Sequence, residues 1–201
     1  MGVKCFWLEP TRTVRRELRR YVSSARGGRC PGPLGYHDAE TFIDVVPGIF
    51  DERGFLTELP AGDFAGDPRW PMQCSCGYVF KPEDERQVFT SPLYRRADTG
   101  DEMTLRDAPP GAMWDAWWYG EWSPGPDGKH LIVKCPNGHE WFIDGPASNC
   151  TMKYDHVHRC WVRHGEPPLI TVDKNGLTCA AGAGSIQAGD YHGFLRNGEF
   201  T

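Results

Sequence analysis

The sequence predicts an α+β fold of many short antiparallel strands with few short helices, stabilised by zinc. Three observations carry this expectation. The chain of 201 residues holds 24 Gly and 17 Pro with no period to them, so turns come often and the elements between them are short. Apolar residues make up 39% of the chain, enough for one substantial core or two small ones. Eight cysteines and seven histidines fall in close spacings. No export signal opens the sequence, so thiols are expected to stay reduced, which favours metal over disulfides.

No stretch approaches about 18 consecutive apolar residues, so no membrane span is expected and the protein reads as cytoplasmic. Charge is uneven. Residues 1–30 carry eight Lys/Arg against two Glu, while the whole chain has a net charge of −5. Seven of eight tryptophans and six of eight cysteines lie from residue 70 onward. Two regions are therefore expected, a basic strand/helix region over 1–68 and a Trp- and Cys/His-rich zinc-binding β region over 69–201, if the two are not one continuous domain.

In chain order, "VKCFWLEP" alternates as an opening strand that Pro10 ends. In "TRTVRRELRRYVSSARGG", Val14, Leu18, Tyr21 and Val22 follow helical spacing, Thr13 can cap and Gly27-Gly28 can stop the helix; a strand over "ELRRYV" competes. "CPGPLGYHDAE" reads as a loop, "TFIDVVPGIF" as a strand with a turn, and "DERGFLTELPAGDFAGDPRW" as a polar connector. "APPGAMWDAWWYGEW" has prolines where a helix would begin and Trp114, Trp117 and Trp118 on one face of it. "KHLIVKC" and "EWFID" read as two strands, and the tail offers hairpin turns at Asn175-Gly176 and Asn197-Gly198.

Zinc takes four N or S ligands in a tetrahedron, commonly as two close pairs on tight turns. In "CPNGH", Pro136 presets φ and Gly138 allows a positive φ, so Cys135 and His139 can converge. Cys74 and Cys76 in "QCSCGYVF" offer a second pair. Together Cys74, Cys76, Cys135 and His139 would make a Cys3His site that clips the fold. Downstream, "CTMKYDHVHRCWVRH" places His156, His158 and Cys160 on one face if it is a strand. These residues, with or without Cys150, form a candidate second metal group. If it is left open to water it would be catalytic, with Asp155 and His164 handling protons; if Cys150 closes it, it would be structural; the third alternative is that these histidines are exposed loop residues that bind no metal. Neither H-E-x-x-H nor the H-x-E and Pro-Cys-x-x-Cys of zinc deaminases is present.

The segment "VKCPNGHEW" resembles the first knuckle of treble-clef zinc ribbons in nuclease-associated proteins, which implies zinc for Cys135 and His139. Those ribbons continue into a Cys-Pro-x-Cys pair, whereas here only Cys150 follows, so the remaining ligands stay open between Cys150 and the Cys74/Cys76 pair. Over its whole length, in "CFWLEPT", "GYHDA", "APPGAMWDA", "CWVRHG" and "AGAGSIQAGDYHGFLRNG", the chain resembles uncharacterised bacteriophage proteins. That resemblance implies a phage product in bacterial cytoplasm and carries no activity.

Four arginines, Arg15, Arg16, Arg19 and Arg20, would face an anionic partner such as nucleic acid or pair with the acidic remainder. Cys150 is a lesser candidate as a thiol nucleophile, as are Ser185 and His192 as active-site groups, and the tryptophans could stack bases but fit a core better. The first functional expectation is a zinc-stabilised binding module for a nucleic acid or a host or phage protein. A metal-dependent hydrolase using His156, His158 and Cys160 is the second, and a virion structural component the third.

Overall fold

The computed structural model describes residues 2–59, 62–122, 124–147, 149–152, 154–155, 158–173 and 185–201. Among these the strands are β1 (Val3–Lys4), β2 (Phe6–Val22), β3 (His37–Pro47), β4 (Ile49–Phe50), β5 (Leu56–Glu58), β6 (Glu85–Arg96), β7 (Glu102–Met103) and β8 (Ala112–Asp115). They continue as β9 (Leu131–Lys134), β10 (Glu140–Phe142), β11 (Val162–His164), β12 (Thr171–Asp173), β13 (Ile186–Ala188), β14 (Tyr191–Gly193), β15 (Leu195–Arg196) and β16 (Glu199–Phe200). A single α-helix of four residues, α1 (Ser24–Gly27), and a 3-10 turn at Trp117–Tyr119 are the helical elements described. The fold is sheet-rich, and the helical half of the expected α+β class is nearly absent.

The largest departure is β2. Val14, Leu18 and Val22 repeat every four residues, a spacing that suits one face of a helix and equally one face of a strand. The strand wins because β3 pairs with it antiparallel from Thr13↔Pro47 to Val22↔His37, with a bulge between Arg16 and Glu17. From position 14 onward the even-numbered residues of β2 are buried, so Arg16 and Arg20 share the inward face with the aliphatic side chains. Pro10, expected to end the first strand, lies exposed within it.

The chain divides into two compact units, Met1–Glu9 with Tyr94–Thr201, and Pro10–Leu93. The break expected at residue 68 falls inside the second. In the first unit, β8 runs parallel to the start of β2 (Phe6↔Ala112), β9 pairs antiparallel with β8, and β10 with β9. One core there gathers Phe6, Leu8, Tyr94, Trp114 and Ile132. Another gathers Leu131, Val133, Cys135, Cys150, Cys160, Trp161 and Ile170 beneath the β11–β12 and β13–β14 hairpins and the β1–β16–β15 sheet.

The helix expected around Trp114 is a strand followed by the 3-10 turn, because β8 is hydrogen-bonded on both sides. Trp114 is 1% exposed, while Trp117 and Trp118 are half-buried in and beside the turn, so the three do not share a helical face. The strands expected over "KHLIVKC" and "EWFID" are β9 and β10. The Asn197-Gly198 turn joins β15 to β16 with φ of 46° and 71°, as a type I′ hairpin requires. Asn175-Gly176 lies outside the described residues. No described helix is long and apolar enough to cross a membrane.

The second unit is built on the β2–β3 ribbon, with β6 along β2 and the small β4–β5 hairpin. Leu18, Ile43 and Trp70 form one core cluster, and Val22, Cys30, Cys74 and Phe80 another.

Candidate metal centres

Two groups of side chains among the described residues are placed to hold a metal ion, one in each unit. The first is Cys30, His37, Cys74 and Cys76, whose ligand atoms all lie within 4.8 Å of one another. β2 ends at Val22, α1 turns the chain, and the loop carrying Cys30 returns it to β3, which begins at His37. The register of the ribbon sets His37 opposite Val22. Cys30 is held by its N–H to Gly35 O (3.2 Å), and Gly32 N–H donates to its Sγ (3.4 Å). The other arm is a tight turn in which Cys74 N–H donates to Tyr78 O and Gly77 N–H to Cys74 O, both at 2.9 Å. Gly77 takes a φ of +96° there, a conformation that a side chain would strain.

His37 shows how the site is oriented. Its Nε2 lies 3.1 Å from Gly27 O. A carbonyl only accepts, so Nε2 carries the proton and Nδ1 presents its lone pair. That Nδ1 lies 3.1 Å from Cys76 Sγ, inside the group. A ligating imidazole commonly donates its other N–H to a carbonyl in this way. The ring also stacks on Tyr78 (centroids 4.2 Å apart, 12° between planes), whose hydroxyl donates to Asp84. Cys30, His37 and Cys74 are buried, and Cys76 is exposed at the tip of its turn.

The electrostatics of the group set Cys74 and Cys30 apart. Burial opposes ionisation of Cys74, but the N–H groups of Cys76 and Asp38, with His37 and Cys76 side chains behind them, pull its thiol down to about 6. Gly32 N–H pulls Cys30 the same way, yet burial and the neighbouring Cys76 and Cys74 outweigh it and leave Cys30 above its ordinary value. The two buried thiols are thus shifted in opposite directions, an arrangement compatible with a bound cation.

The second group is Cys150, His158 and Cys160. His158 Nε2 lies 3.3 Å from Cys150 Sγ and 3.2 Å from Cys160 Sγ. Met152 N–H donates to Cys150 Sγ (3.3 Å), and Asp155 accepts the backbone N–H of His158 (3.3 Å). Both cysteines are buried in the core and His158 is half-buried. His158 and Cys160 also line a cavity of about 320 Å³ with Glu121, Trp122, Pro124, Asp144, Asp155 and Arg159 among its walls. Burial raises the Asp144 carboxyl to about 6 even though Arg163 lies against it (Nε to Oδ1 3.0 Å).

The expected Cys74/Cys76/Cys135/His139 grouping is not the one the fold makes. Cys74 and Cys76 join Cys30 and His37 within the second unit, whereas Cys135 and His139 lie in the first. The Pro-Asn-Gly turn between them forms, with Cys135 N–H on His139 O and Gly138 N–H on Cys135 O, both 2.8 Å. Its anchor is Asn137, whose Nδ2 donates to Ala188 O and Asp190, and whose Oδ1 accepts His139 N–H. Cys135 is fully buried in the core. Burial pushes it up to about 12, and pushes Cys5, with Cys135 nearby, equally far, the opposite of Cys74.

The face expected to hold His156, His158 and Cys160 is not a described strand; β11 begins only at Val162, and His156 lies outside the described residues. His164 sits on β11 against Asp173 (3.2 Å), half exposed, while Asp155 lines the cavity. Ser185 Oγ and His192 Nε2 lie 2.7 Å apart at the surface. The arginines of β2 turn to their own unit. Arg16 grips Asp44 with two hydrogen bonds (2.8 and 2.6 Å), and Arg19 grips Asp38 likewise (2.9 and 2.8 Å). Arg15 pairs with Glu17 (2.9 Å), and Arg20, 1% exposed, donates to the carbonyls of Pro71 and Lys81.

No family model, no curated protein and no solved structure matches the chain. The reading of both centres therefore rests on their own geometry. Cys30 and His37 are the members of the first group that spacing alone missed. Their signal was present, since "CPGPLGYH" brackets a Pro/Gly turn with Cys and His as "CPNGH" does.

Proposed function

We propose that this chain is a zinc-stabilised binding module whose partner is a protein. The observation that carries the metal half is the convergence of Cys30, His37, Cys74 and Cys76, with the His37 tautomer fixed by Gly27 O. Three sulfurs and one nitrogen form a closed set suited to structural zinc. The ion would tie the loop after β2, the first residue of β3 and the Cys74–Tyr78 turn together, in a unit whose core clusters are small.

The partner half rests on what the second unit presents to solvent. Arg16, Arg19 and Arg20 are engaged with Asp44, Asp38 and a backbone carbonyl, and the chain is acidic overall, a poor match for a phosphate backbone. Large apolar side chains on the same unit are exposed instead, among them Leu34, Phe42, Val45, Ile49, Met72 and Val79. Exposed apolar surface of this kind supports protein contact.

Chelation followed by hydrogen exchange tests the metal half. Protection is expected to collapse around Val22, His37–Ala39 and Met72–Phe80 while β8, β9 and β10 keep theirs; unchanged exchange in the second unit would refute it. Fluorescence anisotropy with labelled DNA and RNA between about 50 and 200 mM salt tests the partner half. No salt-dependent binding is expected, and a steep salt slope would return the nucleic-acid reading to first place.

A further inference from the structure

We propose that a cleft at the end of β2 binds a neutral sugar through its hydroxyl groups. The cleft has a volume of about 390 Å³ and is lined by Arg19, Tyr21, Ser23, Ser24, Tyr36 and Gln87, a size usual for small-molecule sites. All six residues belong to the second unit, and none is a member of either candidate metal group. The inference goes beyond the protein-binding reading and does not rest on it.

Three segments of chain meet there. Arg19 and Tyr21 lie on the face of β2 opposite the buried Leu18, Arg20 and Val22, because side chains alternate along a strand. Beyond β2 the chain turns through Ser23 into α1, and the loop after α1 returns as Tyr36, immediately before β3. β6, which runs along β2, supplies Gln87. The loop that carries Tyr36 is closed by Gly35 N–H on Gly32 O (3.1 Å) and Cys30 N–H on Gly35 O (3.2 Å). Arg19 then ties the walls together. Its Nε and Nη2 donate to Asp38 (2.9 and 2.8 Å), and Nη2 also donates to the Tyr36 hydroxyl (3.3 Å). The guanidinium carbon stands 5.6 Å from the Tyr21 ring centre and 5.8 Å from that of Phe89. The walls are thus set before any ligand arrives.

The polar groups of the cleft select the ligand. Arg19 is the charged residue among the six and its charge is met by Asp38, so neither an anion nor a cation finds an uncompensated partner. Tyr36 accepts from Arg19 and keeps its own O–H to donate, whereas Tyr21 donates to Glu85 and keeps an oxygen that accepts. Ser23 makes no side-chain cap on α1. The hydroxyls of Ser23 and Ser24 and the amide of Gln87, all exposed, each donate and accept. A ligand that matches this mixture must itself donate and accept at several points, as hydroxyl groups do and the fixed edges of a nucleobase do not. The two tyrosines add surface that is apolar on the ring and polar at the tip, which suits the C–H face of a sugar ring.

Two-dimensional NMR on the isotope-labelled chain tests this, with methyl glucoside, methyl galactoside and methyl mannoside as probes and uridine and inorganic phosphate as comparisons. At about 50 mM, enough to populate a millimolar complex, at least one glycoside is expected to shift the backbone amides of Ser23, Ser24 and Tyr36 and the side-chain amide of Gln87. Ser24→Ala/Gln87→Ala changes two exposed positions, and the rest of its spectrum reports that the fold is kept. It should weaken the binding by roughly tenfold or more, as the loss of two hydrogen bonds does. Trp122→Ala, in the first unit, should leave the binding unchanged. No shift at these positions with any of the three glycosides would overturn the proposal, as would stronger shifts there with uridine or phosphate. So would glycoside binding that Ser24→Ala/Gln87→Ala leaves at full strength; its loss in Trp122→Ala would place the sugar on the first unit instead.

Discussion

Cys74→Ser is expected to abolish metal binding at the Cys30/His37/Cys74/Cys76 centre and to unfold the second unit. Cys74 is buried and collects N–H groups from Cys76 and Asp38, so a serine there loses the thiolate on which the site is built. Structural zinc in zinc-finger peptides contributes about 10–16 kcal/mol of folding free energy, as much as the about 5–15 kcal/mol that holds a whole domain. Cys76→Ser removes an exposed ligand at the tip of the turn and should weaken the site less. Cys135→Ser separates the two possible pairings of the cysteines. It exchanges a buried core thiol for a hydroxyl, at about 1–3 kcal/mol, and should leave metal content unchanged. Circular dichroism melts with metal analysis on the three variants check this. Metal loss in Cys135→Ser with retention in Cys74→Ser would reverse the assignment.

Trp114→Ala is expected to cost about 3–5 kcal/mol, as large-to-small changes of a buried aromatic do. Trp114 lies on β8 in the core with Phe6, Leu8, Tyr94 and Ile132 and is 1% exposed. Trp122 is 48% exposed, and Trp122→Ala should cost well under half as much. Urea denaturation of both variants measures the difference. Equal, small effects would mean that the tryptophan-rich stretch serves as a surface platform and not as core.

What the sequence made legible was local. "NG" between Leu195-Arg196 and Glu199-Phe200 demands a type I′ turn, and the turn is there. "LIVK" and "EWF" around Pro-Asn-Gly could only return as a hairpin. A period of four in Val14, Leu18 and Val22 is shared by helix and strand, and ten ladder pairs with β3 settled it in favour of the strand, which no local pattern could reveal. The candidate metal-binding residues divided along the same line. Two Cys-turn-His segments compete for the Cys74/Cys76 hook, and spacing treats them alike. The β2–β3 register brings His37 to the end of the ribbon beside Val22, within reach of Cys74 and Cys76, while the other turn is anchored by Asn137. The arginines show the same limit: the acids they meet, Asp38 and Asp44, are neighbours only once β3 lies beside β2.

The central claim is that three thiolates and one imidazole of the second unit share one metal ion. Zinc K-edge X-ray absorption on the protein carrying Cys150→Ser and Cys160→Ser, so that the first centre alone contributes, measures this directly. Three sulfurs at about 2.3 Å and one imidazole nitrogen at about 2.0 Å are expected. A shell of oxygen and nitrogen alone, or protein that retains no zinc, would contradict it.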